Sequence, residues 1–162
     1  YAVANQKRLS AEQVFWSTMI ATGEMDRLKQ TSGMGFEQVV AKSESLAALQ
    51  KQWLKTFSNS PRDPEVDFAP SVKGALYLMH DPGVLGLLKP EAGNLVDRLS
   101  AMSDSEKAAK ALFLAVFSRR PTLADHELVG RILGKTSGAA RAEAIGQLAW
   151  ALLASTEFCV NH

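Results

Sequence analysis

Few residues in this chain are of types and spacings that could do chemistry. His80-Asp81, between a short apolar helix and a proline-glycine turn, is the best polar pair. With Asp67 brought in from the preceding loop, and Glu65 and Tyr77 near, an imidazole and two carboxylates could pass a proton or hold a polar ligand. The structural alternative is a histidine at a helix C-terminus followed by a capping aspartate. Cys159 and His162 stand three apart, so on a helix they share a face. They could serve as a nucleophile–base pair or as two ligands of a metal that needs at least one more. Neither an oxyanion-forming turn nor further ligands are placed beside them, so a structural thiol near the chain end is the better reading. His126-Glu127 opens HELVG, but the zinc-protease motif needs a second histidine four residues on, and Gly130 stands there. Gly33-Met34-Gly35 lacks the preceding strand and third glycine of a phosphate cradle. No haem-attachment motif is present. These residues give no catalytic, cofactor or metal assignment. His80, Asp81 and Asp67 remain as a candidate polar site.

The elements that would position these residues are helical. The 162 residues, 46% hydrophobic and 22% charged, fit one domain with a sizeable core. The formal net charge of +1 gives no basic field for nucleic acid. Arg119 and Arg120 read as solvated cations at a helix end. The longest apolar runs, Ala111 to Phe117 and Leu148 to Ala154, have seven residues each and cannot span a bilayer. One cysteine excludes an internal disulfide. The chain begins at Tyr1 with no signal-peptide pattern, so we expect a piece of a longer polypeptide.

Helical spacing organises most of the chain. Ser10 with Gln13 forms a capping box before a helix over 11–22, and Gly23 stops it. Residues 23–34 are polar and read as a loop. Val39, Leu46 and Trp53 are seven apart, which predicts one long helix over 36–57. The proline-rich segment 58–70 is a crossover. Short helices are expected over 71–80, 82–88 and 94–101, with Asp81 capping and Pro82 at the first helical position of the second. A second capping box, Ser103 with Glu106, starts a central helix over 104–118. Thr122 caps the next, over 123–133. The last stretch, 138–162, carries Ile145, Leu148, Ala149, Leu152 and Leu153 on one stripe with Trp150 at its edge, and should staple the core. No period-two alternation is found. The expected fold is all-α: residues 1–162 as one irregular bundle of about six to seven helices without a sheet.

Four stretches together resemble a known family: RLSAEQVFWSTMIATG (8–23), DFAPSVKGALYLMHDP (67–82), ALFLAVFSRRPTLADHE (111–127) and QLAWALLASTEFCVNH (147–162). Their order and spacing are similar to the C-terminal uncharacterised domain of large planctomycete multidomain proteins, some of which carry a cytochrome-c-like module upstream. The tryptophan-containing helix running into S/T-E-F and N-H is the most specific part, and SRRPT the next. Ala154 and His80 stand where that family has asparagine. The resemblance implies an exported, periplasmic or cell-surface setting, with upstream domains of the same polypeptide as partners. It implies no catalytic residue and no cofactor held by this chain. Two functions follow as expectations. The first is a non-catalytic helical assembly or binding module. The alternative is an accessory part of a redox or polysaccharide-degrading enzyme, with a pocket around His80, Asp81 and the 58–70 loop.

Overall fold

The computed structural model describes residues 7–57 and 72–161. The 58–70 crossover, with Asp67 and Glu65, and His162 lie outside the described residues. The class is all-α, with ten helices among the described residues where six to seven were expected. They are α1 (Ala11–Ala21), α2 (Glu24–Ser32), α3 (Phe36–Lys42), α4 (Glu44–Phe57), α5 (Val72–His80), α6 (Pro82–Gly86), α7 (Leu95–Ser100), α8 (Ser105–Phe117), α9 (Leu123–Leu133) and α10 (Gly138–Leu153). Two-residue segments, β1 (Lys7–Arg8) and β2 (Val160–Asn161), pair antiparallel and tie the start of the chain to its end without forming a layer. Leu9 N–H extends that pairing to the Cys159 carbonyl at 2.9 Å. No helix among the described residues is long and apolar enough to cross a membrane.

Local capping chemistry sets many of the boundaries. Ser10 and Gln13 close their capping box on α1, and Thr122 closes one with Asp125 on α9. The cap of α8 is Asp104 rather than Ser103. Its carboxylate accepts from the amides of Glu106 and Lys107 at 2.9 and 3.3 Å, so the helix starts one residue later than a Ser103 box would place it.

Three expectations are corrected. Residues 24–32 are helical, not loop: Gly23 takes φ 73°, ending α1 and letting α2 begin at once. Met25 anchors that helix in the core, and the i,i+3 pairs Glu24–Arg27 and Asp26–Lys29 support its polar faces. The long helix over 36–57 is two helices. Ser43 leaves helical geometry at ψ 100°, and its hydroxyl accepts from the Leu46 amide, restarting the helix. The seven-residue seam persists across this break, since Val39, Leu46 and Trp53 are all buried. Finally, α10 ends at Leu153, and residues 154–159 form turns.

The last helix packs on α7, α8 and α9, while α1 packs on α2, α4 and α8. Ile145 and Ala149 are fully buried, Leu148 nearly so, and Leu152 and Leu153 are half-buried. Trp150, at the edge of the stripe, reaches α5, its indole N–H donating to the Leu78 carbonyl at 2.9 Å. The face of α8 bearing Ala109, Leu112, Phe113 and Val116 is buried, while Leu114 remains partly exposed. The Leu95 amide donates to the Thr22 carbonyl at 2.8 Å, joining the start of α7 to the end of α1.

One ionic clasp joins segments distant in sequence. The Arg119 guanidinium forks onto both Glu157 carboxylate oxygens at 2.5 and 3.1 Å. Its third nitrogen reaches Asp125 at 2.9 Å, and its plane lies over Phe113 and Phe117. Arg119 is thus a tie between α8, the α9 cap and the C-terminal turns, not the solvated helix-end cation expected above. Burial pushes the Asp125 carboxyl up, but the Thr122 backbone amide and then Arg119 outweigh it and hold it below the usual range. A carboxyl depressed in the folded state contributes stability at neutral pH that is lost as pH falls below about 4. Arg119→Gln should therefore cost about 1 kcal/mol at neutral pH, a value held down by the partial exposure of the clasp. Urea melts should show that difference shrinking from pH 7 to pH 3; an unchanged difference would mean that the clasp is not ionic.

Candidate functional site

The structure holds a cavity of about 370 Å3. It lies between α1, α4, α5, α6, α10 and the C-terminal turns. Val14 and Thr18 of α1 with Trp53 of α4 form its deep wall. Small residues on α5, Gly74 and Ala75, leave room opposite them, and Leu78 and Met79 continue that side. Val84, Leu87 and Leu88, with Trp150, Leu153, Thr156 and Cys159 from the end of the chain, complete the lining. Trp53 and Phe57 of the lining cluster with Tyr77, with ring centroids 4.8 to 6.0 Å apart.

The lining is apolar in a stronger sense than its composition suggests, because five of its side-chain donors are engaged with the main chain. Thr18 and Thr22 hydroxyls each donate to the carbonyl four residues back at 2.8 Å. The Trp53 indole N–H donates to the Ala11 carbonyl at 3.1 Å, and Ser155 to the Leu152 carbonyl at 2.7 Å. With Trp150 bonded to Leu78, methyl groups and indole surface make up most of the lining, and Thr156 and Cys159 add a hydroxyl and a thiol from the C-terminal turns. Cys159 is the one ionisable residue among the described lining residues. Such a site can enclose an apolar body and offers no acid–base couple along its described walls.

The structure separates the residues singled out from the sequence. His80 is exposed at the end of α5, and Asp81 caps α6, one oxygen accepting from the Gly83 and Val84 amides at 2.9 and 3.1 Å. Neither lines the cavity. Tyr77 is buried with its hydroxyl unpartnered among the described residues, and burial, with the Asp81 carboxylate second, pushes it up to about 12. It is a neutral phenol at any physiological pH. Cys159 lies in the C-terminal turns, not on a helix, so the helical face imagined for Cys159 and His162 does not exist. His126 is half-buried on α9, and Gly33 is the left-handed cap of α2. No cluster of three or more potential metal-ligating side chains occurs among the described residues.

The residues that form the cavity were missed because their sequence signal is the same as that of any core. The nearest to a local hint is Gly74-Ala75 within an apolar helix, two small residues where larger ones would fill the space. Comparison of the chain with family models, with curated proteins and with solved structures finds no match.

Proposed function

We propose that this chain is a non-catalytic helical binding and assembly module of a larger exported protein of the planctomycete type, with upstream domains of that polypeptide as partners. The setting rests on the four resembling stretches. The two most specific of these, SRRPT and STEF, meet in the clasp between Arg119 and Glu157, which accounts for them as structural signatures. The binding role rests on one observation: an apolar cavity of about 370 Å3 in which the Thr18, Thr22 and Ser155 hydroxyls and both indoles are turned to the backbone. A cavity finished in this way favours a hydrophobic guest over a polar substrate, because a buried polar group would find few partners there.

The test is titration with 1-naphthylamine, an uncharged environment-sensitive dye small enough for that volume. Saturable fluorescence enhancement at one site per chain is expected, with the melting temperature rising as dye is added. Ala75→Trp, at an exposed position on the cavity rim, should abolish most of the enhancement. A dye response that never saturates, or that Ala75→Trp leaves intact, would remove the cavity from the account.

A further inference from the structure

Building on the binding role assigned to the cavity, we infer that its ligand is an amphiphile with one unbranched alkyl tail of roughly a dozen heavy atoms. Size gives the first bound. At about 30 Å3 for a group the size of water, a cavity of about 370 Å3 holds about that many. That is more than a single side chain inserted from a protein surface would fill. Depth gives the second. The lining includes Thr22, Trp53 and Val84 of the buried core, so a guest there packs on core side chains.

Polarity gives the orientation. The exposed lining residues are Ala75 and Met79 on α5 and Ala154 and Thr156 in the C-terminal turns. The Trp150–Leu78 bond holds α5 and α10 together beneath them. These residues form the mouth, and Thr156 puts a hydroxyl there. The deep walls have no charge to meet an ionised group, which would be costly to bury alone. The ligand's tail therefore enters first and its polar end stays in water at the mouth. Met79, half exposed on the rim, is flexible enough to follow chains of different length.

The experiment displaces the dye from the intact chain with 1-alkanols from hexanol to tetradecanol. Affinity should rise about fourfold per methylene and level off near a dozen heavy atoms. Ala75→Trp and Ala154→Trp, both at exposed mouth positions, should each weaken the longer alkanols by tenfold or more while far-ultraviolet circular dichroism stays native. If the dye binds but alkanol affinity does not grow with length, the alkyl ligand is wrong and the binding module stands. If neither dye nor alkanol binds, both fall, and the cavity is closed by the chain itself. Alkanol binding unchanged in both variants would place the alkanol elsewhere and overturn the inference.

Discussion

Arg141→Met should destabilise the domain by about 3 kcal/mol, more than a methionine of similar length would suggest. Arg141 is buried, and its two terminal nitrogens donate to main-chain carbonyls from different elements: Leu133 at 2.9 Å and Met102 at 2.7 Å. Leu133 ends α9, and Met102 follows the C-cap of α7. Both acceptors thus belong to helix C-termini, where orphan carbonyls and the helix dipole favour a cation. Hydrogen bonds from a charged group contribute about 1.5–3 kcal/mol each. Losing both, less the desolvation that the charge no longer incurs, leaves about 3 kcal/mol. Arg141→Lys should recover less than half of it, because an ammonium cannot fork between two carbonyls set by two helices. Urea denaturation would show a lower midpoint at unchanged slope. A midpoint within error of the parent would mean that α10 does not bind the two helix ends together through this side chain.

Gly146→Ala should also destabilise, by about 1 kcal/mol net, although in a helix interior this exchange ordinarily gains about 1 kcal/mol. The reason is an approach of backbone to backbone. A β-carbon at Gly146 would sit 2.5 Å from the Leu88 carbonyl oxygen and 3.6 Å from its carbon. Since the obstacle is main chain, relief requires α10 to move away from the turn after α6, and overpacking of this kind costs about 1–3 kcal/mol before the propensity gain is counted. Leu88 also lines the cavity, so the same shift should weaken dye binding. A thermal melt above the parent's would show that α10 and Leu88 are farther apart than described.

What could be read from the sequence was whatever is encoded locally. Ser10, Asp81 and Thr122 cap the helices they were expected to cap, because an N-cap bond spans only two or three residues. The buried stripe of α10 and the seam of Val39, Leu46 and Trp53 were legible for the same reason: periodicity is a one-dimensional signal. α2 was missed because its single buried residue, Met25, leaves no stripe to see. The break at Ser43 was hidden because the seam keeps its spacing through it. Arg119 and Arg141 could not be assigned, since one partner of each, Glu157 and Met102, lies 38 and 39 residues away. Nor could the cavity be found, because a void is a property of how elements meet and leaves no pattern along any one of them. The chemistry that drew attention first, His80 with Asp81, turned out to be two neighbours with separate environments, one exposed and one capping.

The most direct test of the binding reading is a methyl-resolved NMR titration of the intact chain with 1-decanol. The cavity account predicts saturable shifts confined to methyl groups of Val14, Val84, Leu87, Leu88 and Leu153, with Val129 and Leu133 of α9 unmoved. Shifts scattered over exposed residues such as Leu123 and Leu128, or no saturable shift at the cavity methyls, would contradict it.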